Sequence, residues 1–261
     1  MPDLRRMTTP PASAPHFSDD TAGDVRPRTA AGNPRLIART AGILSLLTII
    51  GGIFAQAFVS NRLVSSSDAA LTAGNILAHR SLFEAGFTVY LIEMACQVAS
   101  VALFYRLLRV VNPSIALAGT FLELTGCVIK TMSRVFYIVP LFVLSGAKTL
   151  SAFTPDQLRS AAMLLFNLND RGAGIALALF GVSGVLKNWL FFRSRLLPRI
   201  IGALGIIAGA GWLRFFSPSL RFPPFLVIVG VALAVAVVEI FWLIVYGVDE
   251  AAWERAAKER R

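Results

Sequence analysis

Six long apolar runs constrain the fold of this chain more than any other feature of its sequence. Each run has roughly the 20 residues that a helix needs to cross a bilayer core about 30 Å thick. Because hydrocarbon offers no hydrogen bonds to the backbone, runs of this kind fold as helices. We therefore predict an all-α fold, a polytopic membrane helical bundle with six transmembrane helices, at Leu36–Val59, Phe83–Leu107, Ile115–Val143, Gly172–Phe192, Ile200–Phe216 and Pro224–Val248.

The composition of the chain, and the polar character of its two ends, predict a transmembrane domain over residues 35–248. The hydrophobic fraction is 56% and the charged fraction only 15%, whereas soluble domains carry about a quarter charged residues. Residues 1–34 are rich in proline and small polar residues, which predicts a disordered cytoplasmic tail. Residues 249–261 form a charged cytoplasmic tail. The first apolar run follows a long tail and has bilayer length, so we interpret it as an uncleaved helix and not as a signal peptide.

The net charge of +10 is spread over alternate loops and both tails. Most of the Lys and Arg residues fall on one side if the N-terminus is inside, and the positive-inside rule then places both termini in the cytoplasm of a cell-membrane protein. A nucleic-acid-binding domain would gather these charges on one folded face, and the sequence contains no such domain. We expect the basic loops to contact anionic lipid headgroups of the bilayer. A protein partner or a homo-oligomer also stays open.

Two loops on the outer side are predicted to form short interfacial helices, Asp68–Arg80 and Pro155–Asn169. The second has a strong helix start, because Thr154 can cap the first turn and Gln157 can complete a capping box. Each helix is expected to run into glycine before the next span, at Gly86 and at Gly172 and Gly174.

The third span carries three charged residues on one stripe. Glu123, Lys130 and Arg134 are seven and eleven positions apart, which keeps them within about 20° of each other around a helix. A central charge costs roughly 2.5 to 3.5 kcal/mol on insertion scales. Even with Arg134 reaching outward to the interface, this helix needs partners from its neighbours.

Depth in the membrane predicts those partners. The second and third spans form a hairpin, which places Glu93 level with Lys130. Counting 1.5 Å per residue from the inner ends places three more residues at one depth. We therefore predict an outer polar layer of Glu93 and Lys130, with Tyr90 and Gln97 nearby, and an inner layer of Glu123, Lys187 and Glu239.

Two interpretations of these charges stay open. Ion pairs inside a bundle can fix the register of the helices without doing chemistry, and Lys187 can extend to the inner surface. Ionisable groups inside membranes also mark paths for ions, protons or substrates.

Other chemistry is largely excluded. His16 and His79 are the only histidines, so no histidine-rich metal site is expected, and no motif points to a cofactor. Cys96 and Cys127 fall inside the bilayer, where packed thiols are favoured over a disulfide. The fifth span has a glycine face suited to close helix packing, at Gly202, Gly205 and Gly209.

Several segments resemble the bacterial membrane family called domain of unknown function 4386, namely Arg39–Leu44, Asp68–Ala70, Asn75–Leu77, Leu150–Leu158 and Phe192–Gly202. The resemblance covers residues 36–248 and leaves out both tails. It implies a multi-span membrane protein without an established activity, so it supplies no catalytic residues. Members often have a histidine near residues 169–172, where this chain has Asn-Asp-Arg-Gly.

These features favour a small-solute or proton-coupled carrier that uses the intramembrane charges. The alternative is a non-catalytic structural or partner subunit of the membrane, in which the charges only assemble the helices. A lipid-modifying enzyme is a third hypothesis, weakened because the sequence has no recognisable nucleophile and base set.

Overall fold

A computed structural model describes residues 33–146, 150–215 and 225–259. Nearly all of the predicted tail 1–34 therefore lies outside the described residues. Within the described ranges the chain is helical and contains no strand. The helices are α1 Pro34–Ile53, α2 Asn61–Leu63, α3 Ala69–Ala78, α4 Arg80–Leu108, α5 Pro113–Leu144, α6 Pro155–Ser194, α7 Arg199–Gly211, α8 Phe225–Val245 and α9 Glu250–Lys258. A π-helical turn, Phe54–Ser60, joins α1 to α2, and a 3₁₀ turn, Trp212–Phe215, follows α7.

Five helical segments are long and apolar enough to cross a membrane, Pro34–Leu63, Arg80–Leu108, Pro113–Leu144, Pro155–Ser194 and Leu226–Val245. The predicted all-α membrane bundle is confirmed, and the protein is a multi-pass membrane protein. The count of six spans is not confirmed. The fifth predicted span, Ile200–Phe216, corresponds to α7, which has 13 residues and is therefore about 20 Å long at 1.5 Å per residue.

The first predicted outer helix exists as α3. The Asp68 side chain caps it by accepting a hydrogen bond of 2.8 Å from the Leu71 N–H. The boundary with α4 lies at His79, whose backbone is not helical (φ −119°, ψ 40°). The expected break at Gly86 is wrong, because Gly86 lies inside α4. Its missing side chain instead makes room for Val59 on the first span.

The second predicted outer helix is not separate, because Pro155–Asn169 is the first part of the 40-residue helix α6. The capping box of Thr154 and Gln157 is confirmed at its start. The chain does not break at the following glycines, since one glycine inside a helix costs only about 1 kcal/mol. Gly172 lies directly against the Ser133 side chain, and Gly174 lies against Phe215. Both glycines serve close packing.

The long helices form a ring. Each one packs on the next in the order α1, α4, α5, α6, α7 and α8, and α8 returns to α1. Helix α9 lies across one end of the ring, which we call the α9 end. There the Trp253 indole donates a hydrogen bond of 3.2 Å to the Leu107 carbonyl oxygen, and the Asp249 N–H donates one of 3.1 Å to the Leu196 carbonyl. These two hydrogen bonds tie α9 and the residue before it to α4 and to the α6–α7 turn.

The glycine face of α7 packs against α6. A side chain at Gly202 would meet the Phe192 backbone, and one at Gly205 would collide with Asn188. At Gly209 a Cβ atom would lie 2.9 Å from the Gly181 carbonyl oxygen. The two helices therefore approach with backbone against backbone, as small residues allow inside membranes.

Gly209→Ala is expected to lower the unfolding temperature of the purified protein in detergent. The new methyl group must push backbone atoms apart, and such overpacking costs about 1 to 3 kcal/mol. Gly230→Ala is the matched control, because a Cβ atom built there would meet no other described part of the chain within 4 Å, apart from its own helix. Gly230→Ala should leave the unfolding temperature unchanged or raise it. Equal unfolding temperatures for the two variants would contradict this packing.

Candidate functional site: an intramembrane polar column

The charged stripe of α5 faces its neighbouring helices. Arg134 is only 3% exposed and the Lys130 side chain 13% exposed, while Glu123 is half-buried. Polar side chains from α4 and α6 contact this stripe at different levels along the bundle, and Glu239 from α8 pairs with Lys187 beside it. We call the set the polar column; it consists of Gln56, Tyr90, Glu93, Gln97, Glu123, Lys130, Arg134, Asn169, Ser183, Lys187 and Glu239.

Glu93 and Lys130 come together at the middle of the column. The Lys130 ammonium donates a hydrogen bond of 2.6 Å to Glu93 Oε1, and the Glu93 side chain is 5% exposed. Gly52 on α1 makes room for this carboxylate, because a Cβ atom at Gly52 would lie 3.1 Å from Glu93 Oε1. Glu93 Oε2 is buried and has no hydrogen-bond partner among the described residues. The pair is therefore desolvated and held by three helices.

The predicted inner layer consists of two neighbouring groups. Lys187 on α6 forms an ion pair of 2.9 Å with Glu239 on α8, and its ammonium lies 4.6 Å from the centre of the Phe104 ring. Glu123 is held differently. Its carboxylate accepts 2.8 Å and 2.5 Å hydrogen bonds from Ser183 and Gln97. Both donors are neutral, and among the described residues Glu123 forms no ion pair of the kind that Glu93 and Glu239 form.

The position expected for Gln97 is wrong. We predicted it beside Glu93 in the outer layer, but its amide reaches Glu123. The two glutamates of the hairpin thus receive different partners from α4 and α5. Tyr90 does lie near the outer part of the column, where its ring stacks under the Arg134 guanidinium at 3.6 Å.

Arg134 does not reach outward to the interface. It is buried, and it donates a hydrogen bond of 2.9 Å to Asn169 Oδ1 on α6. The Asn169 amide in turn donates one of 2.9 Å to the Asp170 carboxylate. Sequence reasoning missed Asn169 because it treated this part of α6 as a separate helix at the outer interface.

The π-helical turn places Gln56 in the column. The Tyr90 hydroxyl donates a hydrogen bond of 2.8 Å to Gln56 Oε1, and the Gln56 amide donates one of 2.9 Å to Asn61. An extra residue in a helical turn changes the direction of side chains, and such turns often occur at functional sites. Gln56 was missed because a π turn has no clear sequence signal.

The two ends of the column differ. Toward the end opposite α9, Tyr90 and Tyr137 pack with Phe83 and Phe166, and the Phe83 and Tyr137 rings stack at 4.6 Å. Toward the α9 end a narrow cleft of about 20 Å³ has room for about one water molecule. The cleft begins beside the α4–α5 turn, where Leu108 and Ile115 line it, and extends into the bundle as far as Glu123 and Lys187. The column is therefore closed by aromatic rings at one end and adjoins a cleft at the other.

The column has no net formal charge, and both cysteines near it are free thiols. Glu93, Glu123 and Glu239 balance Lys130, Arg134 and Lys187, so its formal charges cancel. Cys127 is buried between Glu123 and Lys130 on α5, and both it and Cys96 are free thiols. In the described part of the chain, no group of three or more His, Cys, Asp or Glu side chains is arranged to hold a metal ion.

Single changes at the Glu93–Lys130 pair should destabilise the protein more than the double change. Glu93→Gln or Lys130→Gln leaves one buried charge unpaired, at a cost of about 3 to 5 kcal/mol. The double variant Glu93→Gln/Lys130→Gln leaves none and should unfold at a higher temperature than either single variant. Circular dichroism of the purified variants in detergent measures this.

The exposed pair Arg80 and Glu84, 2.9 Å apart, supplies the matched control. The same glutamine substitutions there should change stability by at most about 0.5 kcal/mol. Additive losses at Glu93 and Lys130 would show that the two charges are not coupled.

Comparison with known proteins identifies the family of this chain. Residues 40–247 match the family described as Domain of unknown function (DUF4386). No curated protein and no solved structure matches the chain. The matched range begins within α1 and ends just after α8, so it contains every residue of the polar column. The chain belongs to the DUF4386 family of unknown function.

Proposed function

We propose that this protein is a carrier that moves protons, or a small solute together with protons, past the polar column. One observation carries the proposal. Glu123 is a carboxylate held by two neutral donors beside a cleft with room for a water molecule, and such groups commonly exchange protons along a transport path.

The remaining charges of the column define the fixed parts of the proposed path. Glu93 with Lys130 and Glu239 with Lys187 are ion pairs at 2.6 and 2.9 Å. An ion pair of this kind is costly to break inside a protein. Ser183 and Gln97 can instead hold Glu123 in either protonation state, because a hydroxyl both donates and accepts and an amide offers both groups. Glu123 is thus the proposed proton-binding residue, and the ion pairs position the helices around it.

The aromatic cluster at the far end sets the direction of access. Tyr90, Tyr137, Phe83 and Phe166 fill the space beyond Arg134. The cleft lies toward the α9 end. In this proposal the structure corresponds to a state open toward the α9 end, and transport requires the aromatic cluster to separate. Pro140 lies inside α5 at this level and removes one backbone hydrogen bond there.

The proposal includes the orientation in the cell membrane, with the α9 end in the cytoplasm. Arg35 at the start of α1 lies 3.4 Å from Glu250 of α9, so both ends of the described chain lie at the same end of the bundle. Arg and Lys residues of the α4–α5 turn, the α6–α7 turn and α9 gather there, as the positive-inside rule requires of a cytoplasmic face.

Everted membrane vesicles with a fluorescent pH probe test the carrier function. Vesicles are energised to form a pH gradient, and sets of inorganic ions and small organic solutes are added in turn. At least one set should dissipate the gradient in vesicles that contain the wild-type protein. Glu123→Gln keeps the shape of the side chain but cannot take up a proton, so it should abolish that response at equal protein abundance.

The matched control is Glu84→Gln, an exposed carboxylate outside the column, which should keep the wild-type rate. A folded Glu123→Gln protein that dissipates the gradient as fast as wild type would contradict the proposal. No response with any solute set would favour the alternative, a structural subunit whose ion pairs only assemble the helices. In that case Glu93→Gln and Glu239→Gln should deplete the protein from the membrane without any effect on the gradient.

A further inference from the structure

A second polar site lies at the α9 end, outside the polar column. A cavity of about 430 Å³ opens there between the start of α1, the α6–α7 turn and the α8–α9 turn. Its volume falls within the range of small-molecule sites. The residues that bear on its chemistry are Arg35, Arg195, Arg199, Trp242, Tyr246 and Asp249.

Three arginine residues from three different elements line this cavity. Arg35 lies in the first turn of α1, Arg195 follows the last residue of α6, and Arg199 is the first residue of α7. The forked donors of arginine match the oxygen atoms of a phosphate group. The site therefore has the chemistry of an anion-binding site, with phosphate as the natural ligand.

The acidic residues nearby leave two of these arginines available. Glu250 lies 3.4 Å from Arg35, and the Asp249 carboxylate accepts a hydrogen bond of 3.0 Å from the Ala252 N–H at the start of α9. Among the described residues neither Arg195 nor Arg199 forms an ion pair. Both side chains are exposed, so they can reach a ligand without first losing a carboxylate partner.

Arg195 occupies an unusual backbone position. It ends α6 in the left-handed conformation, with φ 58° and ψ 24°, where glycine or asparagine is normally preferred. Among the described residues it is the only one other than glycine with a positive φ. An arginine at a cavity wall, in a backbone conformation that glycine or asparagine would adopt more easily, indicates a role for its side chain.

The surroundings of the cavity indicate a lipid and not a soluble anion. Trp242 and Tyr246 line it, with their rings 4.5 Å apart, and such residues are enriched where membrane and water meet. Exposed apolar side chains adjoin the lining residues: Ile200 follows Arg199 and is 68% exposed, and Phe241 precedes Trp242 and is 59% exposed. A phosphate held by the arginines would thus lie directly beside surfaces that suit acyl chains.

We propose that this cavity is a binding site for the headgroup of an anionic phospholipid. The phosphate binds Arg195 and Arg199, and Arg35 adds positive charge at the rim. The acyl chains lie along the exposed apolar faces of α7 and α8. A bound lipid joins the α6–α7 turn to the α8–α9 turn and stabilises the closure of the ring.

The test measures the unfolding temperature of the full chain, purified in an uncharged detergent, against added phosphatidylglycerol. Phosphatidylglycerol should raise it, whereas phosphatidylcholine should not. In Arg195→Asn/Arg199→Gln the half-saturating lipid concentration should rise about 30-fold, as expected for two arginines near an anionic headgroup. Asparagine at 195 suits the left-handed backbone, so the helix end is kept. If the double variant does not fold, Arg199→Gln alone is used and should weaken binding about 5-fold.

The matched control is Arg106→Gln/Lys258→Gln, which removes the same charge from the same end but does not line the cavity. It should bind phosphatidylglycerol nearly as wild type does. If both double variants bind phosphatidylglycerol equally weakly, binding depends only on diffuse surface charge and the proposal is wrong. Unchanged binding in Arg195→Asn/Arg199→Gln would also overturn it. Glycerol 3-phosphate tests whether the site binds a soluble phosphate instead of a lipid. If it stabilises the protein as well as phosphatidylglycerol does at the same concentration, the site binds a soluble phosphate and the lipid assignment is wrong.

Discussion

The cost of placing charged side chains in hydrocarbon governs the arrangement of this bundle. A central Glu, Lys or Arg costs about 2.5 to 3.5 kcal/mol on insertion scales, and each Leu or Ile returns only about 0.3 to 0.6 kcal/mol. Helix α5 carries three such residues and cannot satisfy them itself, because they lie on one face and point the same way. Its neighbours α4 and α6 supply the partners, Glu93 from α4 and Asn169 from α6. Their positions on either side of α5 in the ring follow from this need.

Glycine makes these partnerships possible at the required distance. Gly52 leaves space for the Glu93 carboxylate against α1, and Gly172 leaves space for Ser133 between α5 and α6. A larger residue at either position would move the helices apart and lengthen the ion pair or hydrogen bonds beside it. The same principle closes the ring at α7, where Gly209 contacts the Gly181 carbonyl. Small residues and charged residues therefore depend on each other in this fold.

Sequence reasoning predicted those features that one helix or one hairpin determines. The spacing of Glu123, Lys130 and Arg134 follows from helix geometry alone, and equal depth in the α4–α5 hairpin sufficed to match Glu93 with Lys130. Features that depend on contacts between distant helices were not predictable. Gly172 was interpreted as a break because its contact with Ser133 is invisible in the sequence, and this error hid Asn169. Gln97 was assigned to the wrong layer because it lies only about one helical turn, roughly 5.4 Å, from Glu93 on α4. Depths counted along the sequence are no more precise than one turn, so they could not separate the two layers here.

The column contains two kinds of carboxylate, and the difference bears on which part of the bundle can change state. Glu93 and Glu239 each face a lysine ammonium, so protonation of either would leave a buried cation without its counterion. Glu123 faces an amide and a hydroxyl, so its protonation leaves only neutral groups in direct contact. The Ser183 hydroxyl can reverse its hydrogen bond at once, because it is both a donor and an acceptor. A change at Glu123 would thus be transmitted mainly to α6 through Ser183. Because the Lys187–Glu239 ion pair joins α6 to α8, the proposed carrier moves these two helices together, against α4 and α5, which the Glu93–Lys130 pair holds to each other. Gly172, which lies against Ser133 of α5, is a position where α6 can slide.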